Sequence, residues 1–348
     1  MSNKKLKVLL IVEQCNPDWA SVPWVGYNYF RGINNLVDAT LVTHIRNKQA
    51  LEKRPEYENF FYLDAGKSSK YYKMVEKFTA NARVNWPFYN AFIYPIYEKF
   101  NQQVSQKLPG KILNGDYDIV HEITPMMPRY PCKVVSVCQP TPFILGPLNG
   151  GIPFPPRFQE TARQEFAQFN FLRAVGRSLI PGYVETYKKA DKVLAGSTHT
   201  LNLLKKLFAL PDRRIELFYK NGMVQEFLMS AKPAKEEGSK INLLCVGRVV
   251  PYKWADVVKE YIGKLAQAIK SKIRLTILGD GSERNNLENR VKDINLGELV
   301  SFAGWVNQSE TLDYYRKADI FFFSFDPRVW WRSANRSYGL RTSLHSCQ

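Results

Sequence analysis

The chain has 348 residues, 45% of them hydrophobic and 23% charged, with 49 Lys and Arg against 32 Asp and Glu for a formal net charge of +17. At roughly 100–200 residues per domain the length points to two domains, and the composition excludes wholesale disorder. So large a basic excess is more than an indifferent surface needs; it points to an anionic partner, whether a phosphorylated ligand, an acidic membrane surface or nucleic acid.

In chain order, residues 6–12 (LKVLLIV) form a near-continuous apolar run, as expected for a parallel strand covered on both faces. A helical stretch is expected around 26–36, after a loop with Pro17 and Pro23, and ATLVTHI (39–45) reads as a second strand. Residues 67–107 are basic and aromatic with little strand pattern: seven Lys or Arg stand against two Glu. YDIVHEIT (117–124) reads as a third strand and KVVSVC (133–138) as a fourth, followed by a Pro- and Gly-rich loop over 139–157. Helical pattern covers 158–190, DKVLAGS (191–197) is a strand and RRIELFY (213–219) another, before Asn221-Gly222.

From 241 the alternation sharpens: strands at 241–249, 274–280, 299–306 and 319–325, with helices at 254–269, 282–294 (Ser282 as its cap) and 309–318. Strand–helix alternation implies parallel sheets with right-handed crossovers. The expected architecture is α/β: two Rossmann-like domains facing a cleft, joined around the linker-like AKPAKEEGSK. The expected division is an acceptor-side domain over 1–225, a partial donor-binding domain over 226–326, and a tail over 327–348. Five cysteines (Cys15, Cys132, Cys138, Cys245, Cys347) are scattered and never in a Cys-x-x-Cys pair. That excludes a disulfide framework and a zinc site and favours a reducing compartment. No apolar run approaches the ~18 residues of a spanning helix. The run Val8 to Val12 ends at Glu13 without a small-residue cleavage site, so a signal peptide is not expected.

The segment Gly247-Arg248-Val249-Val250-Pro251-Tyr252-Lys253 follows a strand and precedes a helix. It therefore falls at the carboxyl edge of a parallel sheet, where such folds bind ligands. Arg248 offers a planar fork for phosphate oxygens and Lys253 a point charge, and Gly247 lets a ligand approach the backbone. A solvated basic loop is the alternative reading of the same string. Together with LTILGDGSERNNLENRV (275–291) and VSFAGWVNQSETLDYYRKADIFFFS (300–324), the segment resembles the second domain of family 4 glycosyltransferases, which are retaining, nucleotide-sugar-dependent enzymes of the GT-B fold.

The resemblance runs in order from Leu243 to Ser324. It implies that Arg248 and Lys253 clasp the donor diphosphate, that Gly279, Asp280 and Gly281 shape the cleft after the second strand, and that Trp305, after Gly304, lies near the nucleotide base; a half-buried loop aromatic is the other reading of Trp305. It implies a UDP- or GDP-linked sugar as co-substrate, no cofactor and no metal, and a glycan or lipid-linked acceptor, as in polysaccharide biosynthesis. In the first half, GPLNGG (146–151) resembles a glycine-rich segment of some members, which makes Gly150 and Gly151 acceptor or phosphate-loop candidates. Gly26 stands alone where members carry a glycine pair. His121 occupies a position where members often place a cleft-facing catalytic His, and a satisfied His at a strand end is the alternative.

After Phe325 the pattern breaks. Residues 327–348 (PRVWWRSANRSYGLRTSLHSCQ) contain four Arg and no acidic residue, with neither periodicity. Family members carry here a stretch like REFGGGVLIEAMACGLP, whose two Glu contact the sugar and the nucleotide ribose. If the reading frame is advanced by one base, Trp330 and Trp331, each encoded only by UGG, yield Gly-Gly. With permitted codons the whole tail then reads REFGGGVLIEAMACGLPFILV. The expectation is a frameshift near 326–327, a second sheet that stops after its fourth strand with an apolar face and edge uncovered, and little activity. Alternatives from other classes are a catalytically dead GT-B-derived binding or assembly protein and a nucleotide-sugar epimerase of the same architecture. The basic aromatic stretch 67–107 suits an anionic membrane interface, with an ordinary helical pair and a solvated basic face as the other reading. The expected location is the cytoplasm, at or near the inner face of the membrane. No nucleic-acid-binding signature accompanies the charge.

Overall fold

The computed structural model describes residues 5–54, 57–64, 68–79, 85–128, 130–154, 156, 159–219, 222, 238–250, 272–323 and 343–346. The chain divides into two compact units, Met1–Lys220 and Asn221–Gln348.

The first unit is built on strands β1 (Lys7–Val12), β2 (Asp38–His44), β3 (Phe60–Leu63), β4 (Ile119–Thr124), β5 (Phe143–Leu148), β6 (Lys192–Ala195) and β7 (Ile215–Leu217). They form one parallel sheet in the order β3-β2-β1-β4-β5-β6-β7. Its helices are α1 (Val22–Asn34), α2 (Lys48–Leu51), α3 (Ser68–Thr79), α4 (Trp86–Lys107), α5 (Pro109–Leu113), α6 (Gln159–Gln164), α7 (Leu172–Leu179), α8 (Tyr183–Lys189) and α9 (Thr198–Phe208). Apolar residues crowd β1 because both faces of the sheet are covered. Val8, Leu10 and Val12 pack with Leu41, Tyr27 and Phe30 on the α1 side. Leu9 and Ile11 pack with Val42, Val120, Tyr97 and Phe100 on the α4 side.

Strands β8 (Ile241–Val246), β9 (Ile273–Leu278), β10 (Val300–Gly304), β11 (Ile320–Phe323) and β12 (Ser343–Ser346) make the second unit's parallel sheet, ordered β10-β9-β8-β11-β12. Two helices, α10 (Arg284–Asp293) and α11 (Gln308–Lys317), are described with them. Leu287 and Val291 of α10 pack on Cys245, Leu275 and Ile277. Tyr315 of α11 packs with Leu244, Leu278 and Phe321. Opposite sheet faces are thus covered by successive helices, as a doubly wound sheet requires.

Several expectations change. KVVSVC is not a strand: residues 133–137 form a 3₁₀ helix. Its apolar side chains Val134 and Val135 are buried, but its backbone closes its own turns, the Val135 N–H donating to Cys132 O at 3.3 Å, and side chains hold its start. The Lys133 N–H donates to Asn101 Oδ1 at 2.9 Å and the Cys132 N–H to Thr186 Oγ1 at 2.9 Å. The strand that follows β4 is β5, inside the stretch expected to be a loop, where Pro147 at the end of FILGPL masked the apolar run. β3, only four residues long, was missed. The helical stretch 158–190 is three helices with a 3₁₀ turn at Ala167–Phe171. Ser282 caps nothing: α10 starts at Arg284 after Glu283. At α11 the cap is Asn307, whose N–H donates to Glu310 at 3.2 Å, half of a reciprocal capping box. The second sheet does not stop after four strands. Ser343–Ser346 pairs in parallel with β11, Ile320 opposite Ser343; a ladder needs only backbone groups, so four weakly apolar residues fill the edge.

Candidate functional site

The carboxyl edge of the second sheet gathers most of the residues singled out from the sequence. Each of β8, β9 and β10 ends in a glycine or runs into one, and backbone bonds fasten neighbouring ends together. The Gly247 N–H donates to Leu278 O at 2.9 Å, the Gly279 N–H to Gly304 O at 2.8 Å and the Val249 N–H to Asp280 O at 2.9 Å. Gly279 has φ +136°, and a Cβ there would lie 2.1 Å from Gly247 O, so neither the conformation nor the space admits a side chain. The close approach of the two turns therefore depends on that glycine. Arg248 is exposed between Gly247 and the fully buried Val249, so the loop is anchored by Val249 while the guanidinium stays at the surface. Asp280 and Trp305, also exposed, complete the edge. Lys253 lies outside the described residues.

Arg284 was not singled out from the sequence. Its Nη1 lies 3.1 Å from Asp280 Oδ2 and its Nε donates to Glu288 Oε1 at 2.7 Å; these two carboxylates raise its pKa further. A Cβ on Gly304 would come 3.0 Å from Arg284 Nη1, so this side chain spans the β9 and β10 ends. The Gly281 N–H also donates to Asp280 Oδ1, at 2.7 Å. The signal was available as the i, i+4 pair Arg284 and Glu288 in the first turns of a helix that starts four residues after Asp280.

In the first unit, segments 146–151 and 195–200 meet at the ends of β5 and β6. The Gly150 N–H donates to Thr200 Oγ1 at 3.1 Å, Ser197 Oγ donates to Asn149 Oδ1 at 3.2 Å, and His199 Nε2 lies 3.2 Å from Gly151 O. Ser197 caps α9 by accepting from the Thr200 N–H at 3.2 Å. Gly26 is not on a loop. It is buried within α1, where a Cβ would lie 2.2 Å from Gln14 O, so its place is the contact between that helix and the turn after β1. An Asp-x-Asp string, Asp116-Tyr117-Asp118, sits at the opposite, amino edge of the sheet, where Asp118 Oδ2 accepts from the Lys7 N–H at 2.7 Å.

His121 is buried in β4, its Nε2–H donating to Gly146 O at 2.7 Å. Burial lowers its pKa to about 4 against that carbonyl's opposing pull. The next residue, Glu122, faces α4 and accepts from the Tyr97 hydroxyl at 2.6 Å; burial raises its pKa to about 7. The two have opposite linkage. Between pH 6.5 and 4 the unfolded chain binds a proton that folded His121 refuses, so stability falls as pH falls. Between pH 4.5 and 7 folded Glu122 keeps a proton that the unfolded chain releases, so stability falls as pH rises. Over the shared window the slopes, each about 1.4 kcal/mol per pH unit, cancel. Glu122→Gln is expected to unmask His121: the urea midpoint should climb from pH 4 to 6.5, by about 3 kcal/mol in stability. A variant profile parallel to that of the parent chain would refute the pairing.

Residues 228–326 match the family of glycosyl transferases group 1. Over 98% of this chain and 80% of the other, the structure is similar to the Anabaena protein HepE in complex with UDP and glucose, with TM-score 0.57 at 12% identity. The fold is GT-B. Its segment 228–326 is similar to group 1 glycosyl transferases. It is 24% identical over 172 residues to mannosylfructose-phosphate synthase of Agrobacterium fabrum, an alignment covering 45% of this chain and 36% of that protein. It is 34% identical over 101 residues to alpha-monoglucosyldiacylglycerol synthase of Streptococcus pneumoniae, covering 27% and 21%. The chain thus spans about a third or less of the length of these curated relatives. Among the described residues, no helix is long and apolar enough to cross a membrane.

Proposed function

We propose that the protein is a family 4 enzyme that transfers a glycosyl group, with retention, from a UDP- or GDP-linked sugar to a glycan or lipid-linked acceptor in the cytoplasm. The observation that carries this reading is the exposed Arg248 on a loop whose backbone is fastened to the end of β9 and the turn that follows it, inside the segment that matches the family. HepE, whose fold it shares, holds UDP and glucose. When a sugar leaves its diphosphate, negative charge gathers on the leaving oxygens. A cation already fixed there stabilises that state more than the ground state, with no reorganisation. Arg248 and Lys253 take that role in this reading. Asp280 is held by Arg284 and by the Gly281 N–H, which neutralises a carboxylate that would otherwise repel the phosphates. Trp305 offers an exposed ring for the base. His121 acts as a positioning residue that ties β4 to the 146–151 segment, and Gly26, Gly150 and Gly151 belong to the acceptor side.

The reading frame of residues 327–348, in this proposal, is displaced by one base. In support, the family match ends at residue 326, where the familiar wording stops. The missing pair of Glu also favours a second reading, a protein that binds nucleotide sugars without turning them over. The test is a melting-temperature panel of UDP- and GDP-sugars. A donor at ~100 times its Kd stabilises the form that binds it by about 2.7 kcal/mol, a shift of several degrees for a domain of this size. A shift without turnover selects the second reading. No shift for any donor, in this chain and in the frame-restored one, would refute both.

A further inference from the structure

We propose that α3, the first two turns of α4, the 3₁₀ turn 167–171 and α7 together form a docking surface for an anionic lipid bilayer. On α3 an exposed arc carries Lys70, Lys73, Met74, Lys77 and Phe78 side by side, with Phe78 76% exposed and Val75 buried on the inner side. α7 has no buried residue at all. Its Leu172, Val175 and Leu179 recur at helical spacing, and Leu179 is 74% exposed, as is 57% of Phe171 just before it. Arg173 and Arg177 lie on the other side of that helix by the same spacing. A globular helix buries its apolar stripe; this one turns it outward.

These elements are joined through α4. Tyr71 Oη donates to Phe92 O at 2.8 Å, and the Tyr72 and Tyr89 rings meet edge to face, fixing α3 to α4. Phe88 meets Phe169 edge to face at 4.8 Å, fixing the 3₁₀ turn that runs directly into α7. Trp86 and Phe92 of α4, both exposed, stand between the two arms. The occupant follows from chemistry. Exposed Phe, Trp, Leu and Met beside Lys and Arg suit an interface that is apolar beneath and negatively charged on top, which is what an acidic bilayer presents. A nucleic acid would use the Lys residues and leave the aliphatic Val175 and Leu179 in water. This inference deepens the proposed anionic partner at 67–107 by adding α7 to it and naming the source of the charge. Its readout is lipid binding and not transfer, so the two proposals can fail separately.

The experiment is flotation of the full chain with vesicles of phosphatidylglycerol and phosphatidylcholine, compared with pure phosphatidylcholine. Binding is expected only with phosphatidylglycerol present. Phe78→Glu and Leu179→Glu should each lower partitioning roughly tenfold, the loss expected for a large apolar side chain kept out of the bilayer. Lys70→Gln, Lys73→Gln and Lys77→Gln should each cost roughly fivefold, and added salt should mimic them. Circular dichroism confirms folding of each variant; if Leu179→Glu unfolds, Leu179→Ser on the same exposed face replaces it. The proposal is overturned by no binding, by binding indifferent to lipid charge or salt, or by folded Phe78 and Leu179 variants that bind like the parent. Competition by single-stranded DNA that is equally strong for the parent and those variants would likewise reduce the surface to a nucleic-acid-type charge patch and overturn it.

Discussion

Advancing the reading frame by one base at residue 327, so that the tail reads REFGGGVLIEAMACGLPFILV, is expected to raise glycosyl transfer by at least a hundredfold and to raise the melting temperature. The catalytic part rests on charge. The restored stretch brings two Glu to a site whose other described charges come from Arg248, Asp280 and Arg284; one well-placed electrostatic partner is worth about 3–4 kcal/mol in the transition state, a factor of about 10²–10³ in rate. The stability part rests on the edge of the second sheet. Residues 343–346, Ser-Leu-His-Ser, lie along β11 opposite Ile320, Phe321, Phe322 and Phe323. In the restored frame the same place reads Pro-Phe-Ile-Leu, and each large apolar side chain buried there contributes about 1.5–3 kcal/mol. The comparison is direct: both versions expressed side by side, with turnover of a UDP- or GDP-sugar and melting measured for each. Equal turnover and equal melting would remove the frameshift from the account. The nucleotide sequence from codon 320 onward provides an independent check, since codons that cannot yield the two Glu after a one-base advance would also end it.

Legibility in the sequence followed how much of each element's stability comes from its own residues. β1, β2, β4, β8, β9 and β11 are interior strands of their sheets and announce themselves as apolar runs. KVVSVC carries as strong a run, yet it turns into a 3₁₀ helix whose entry is held by Asn101 and Thr186, distant in the chain, which accept from the N–H groups of Lys133 and of Cys132 before it. Nothing local could reveal those partners. β5 was hidden for the opposite reason: Pro147 reads as a breaker, but it stands near the strand's carboxyl end, where a missing ladder donor matters least. The site divides in the same way. Gly247, Arg248, Gly279 and Asp280 were legible because strand-to-helix turns fall at one sheet edge whatever the details. Arg284 was not, because its meaning depends on reaching back to Asp280 and across toward Gly304. Gly26 stands where members carry a glycine pair, and its missing side chain also admits Gln14 O, a packing role that spacing alone does not distinguish from a binding one.

In the frame-restored enzyme, Arg248→Ala should lower kcat by about 10²–10³, as removal of a single preorganised electrostatic donor does, with a smaller change in KM for the donor. The asymmetry follows from when the charge appears: the bridging and terminal oxygens of the diphosphate become most negative as the glycosidic bond breaks, so the guanidinium contributes more to that state than to the bound donor. Arg248→Lys should recover only part of the loss, because an ammonium cannot offer two parallel donors to one phosphate. Lys253→Ala should lower kcat in the same direction, and the double variant by less than the product of the two, since both act on one departing group. Folding provides the control. Arg248 is exposed while its neighbour Val249 anchors the loop from a fully buried position, so the Ala variant should melt with its parent, whereas Val249→Ala should not. An Arg248→Ala enzyme that turns over as fast as its parent would mean that the cationic edge of the second sheet is not where the donor's leaving group is stabilised, and the functional reading would fall with it.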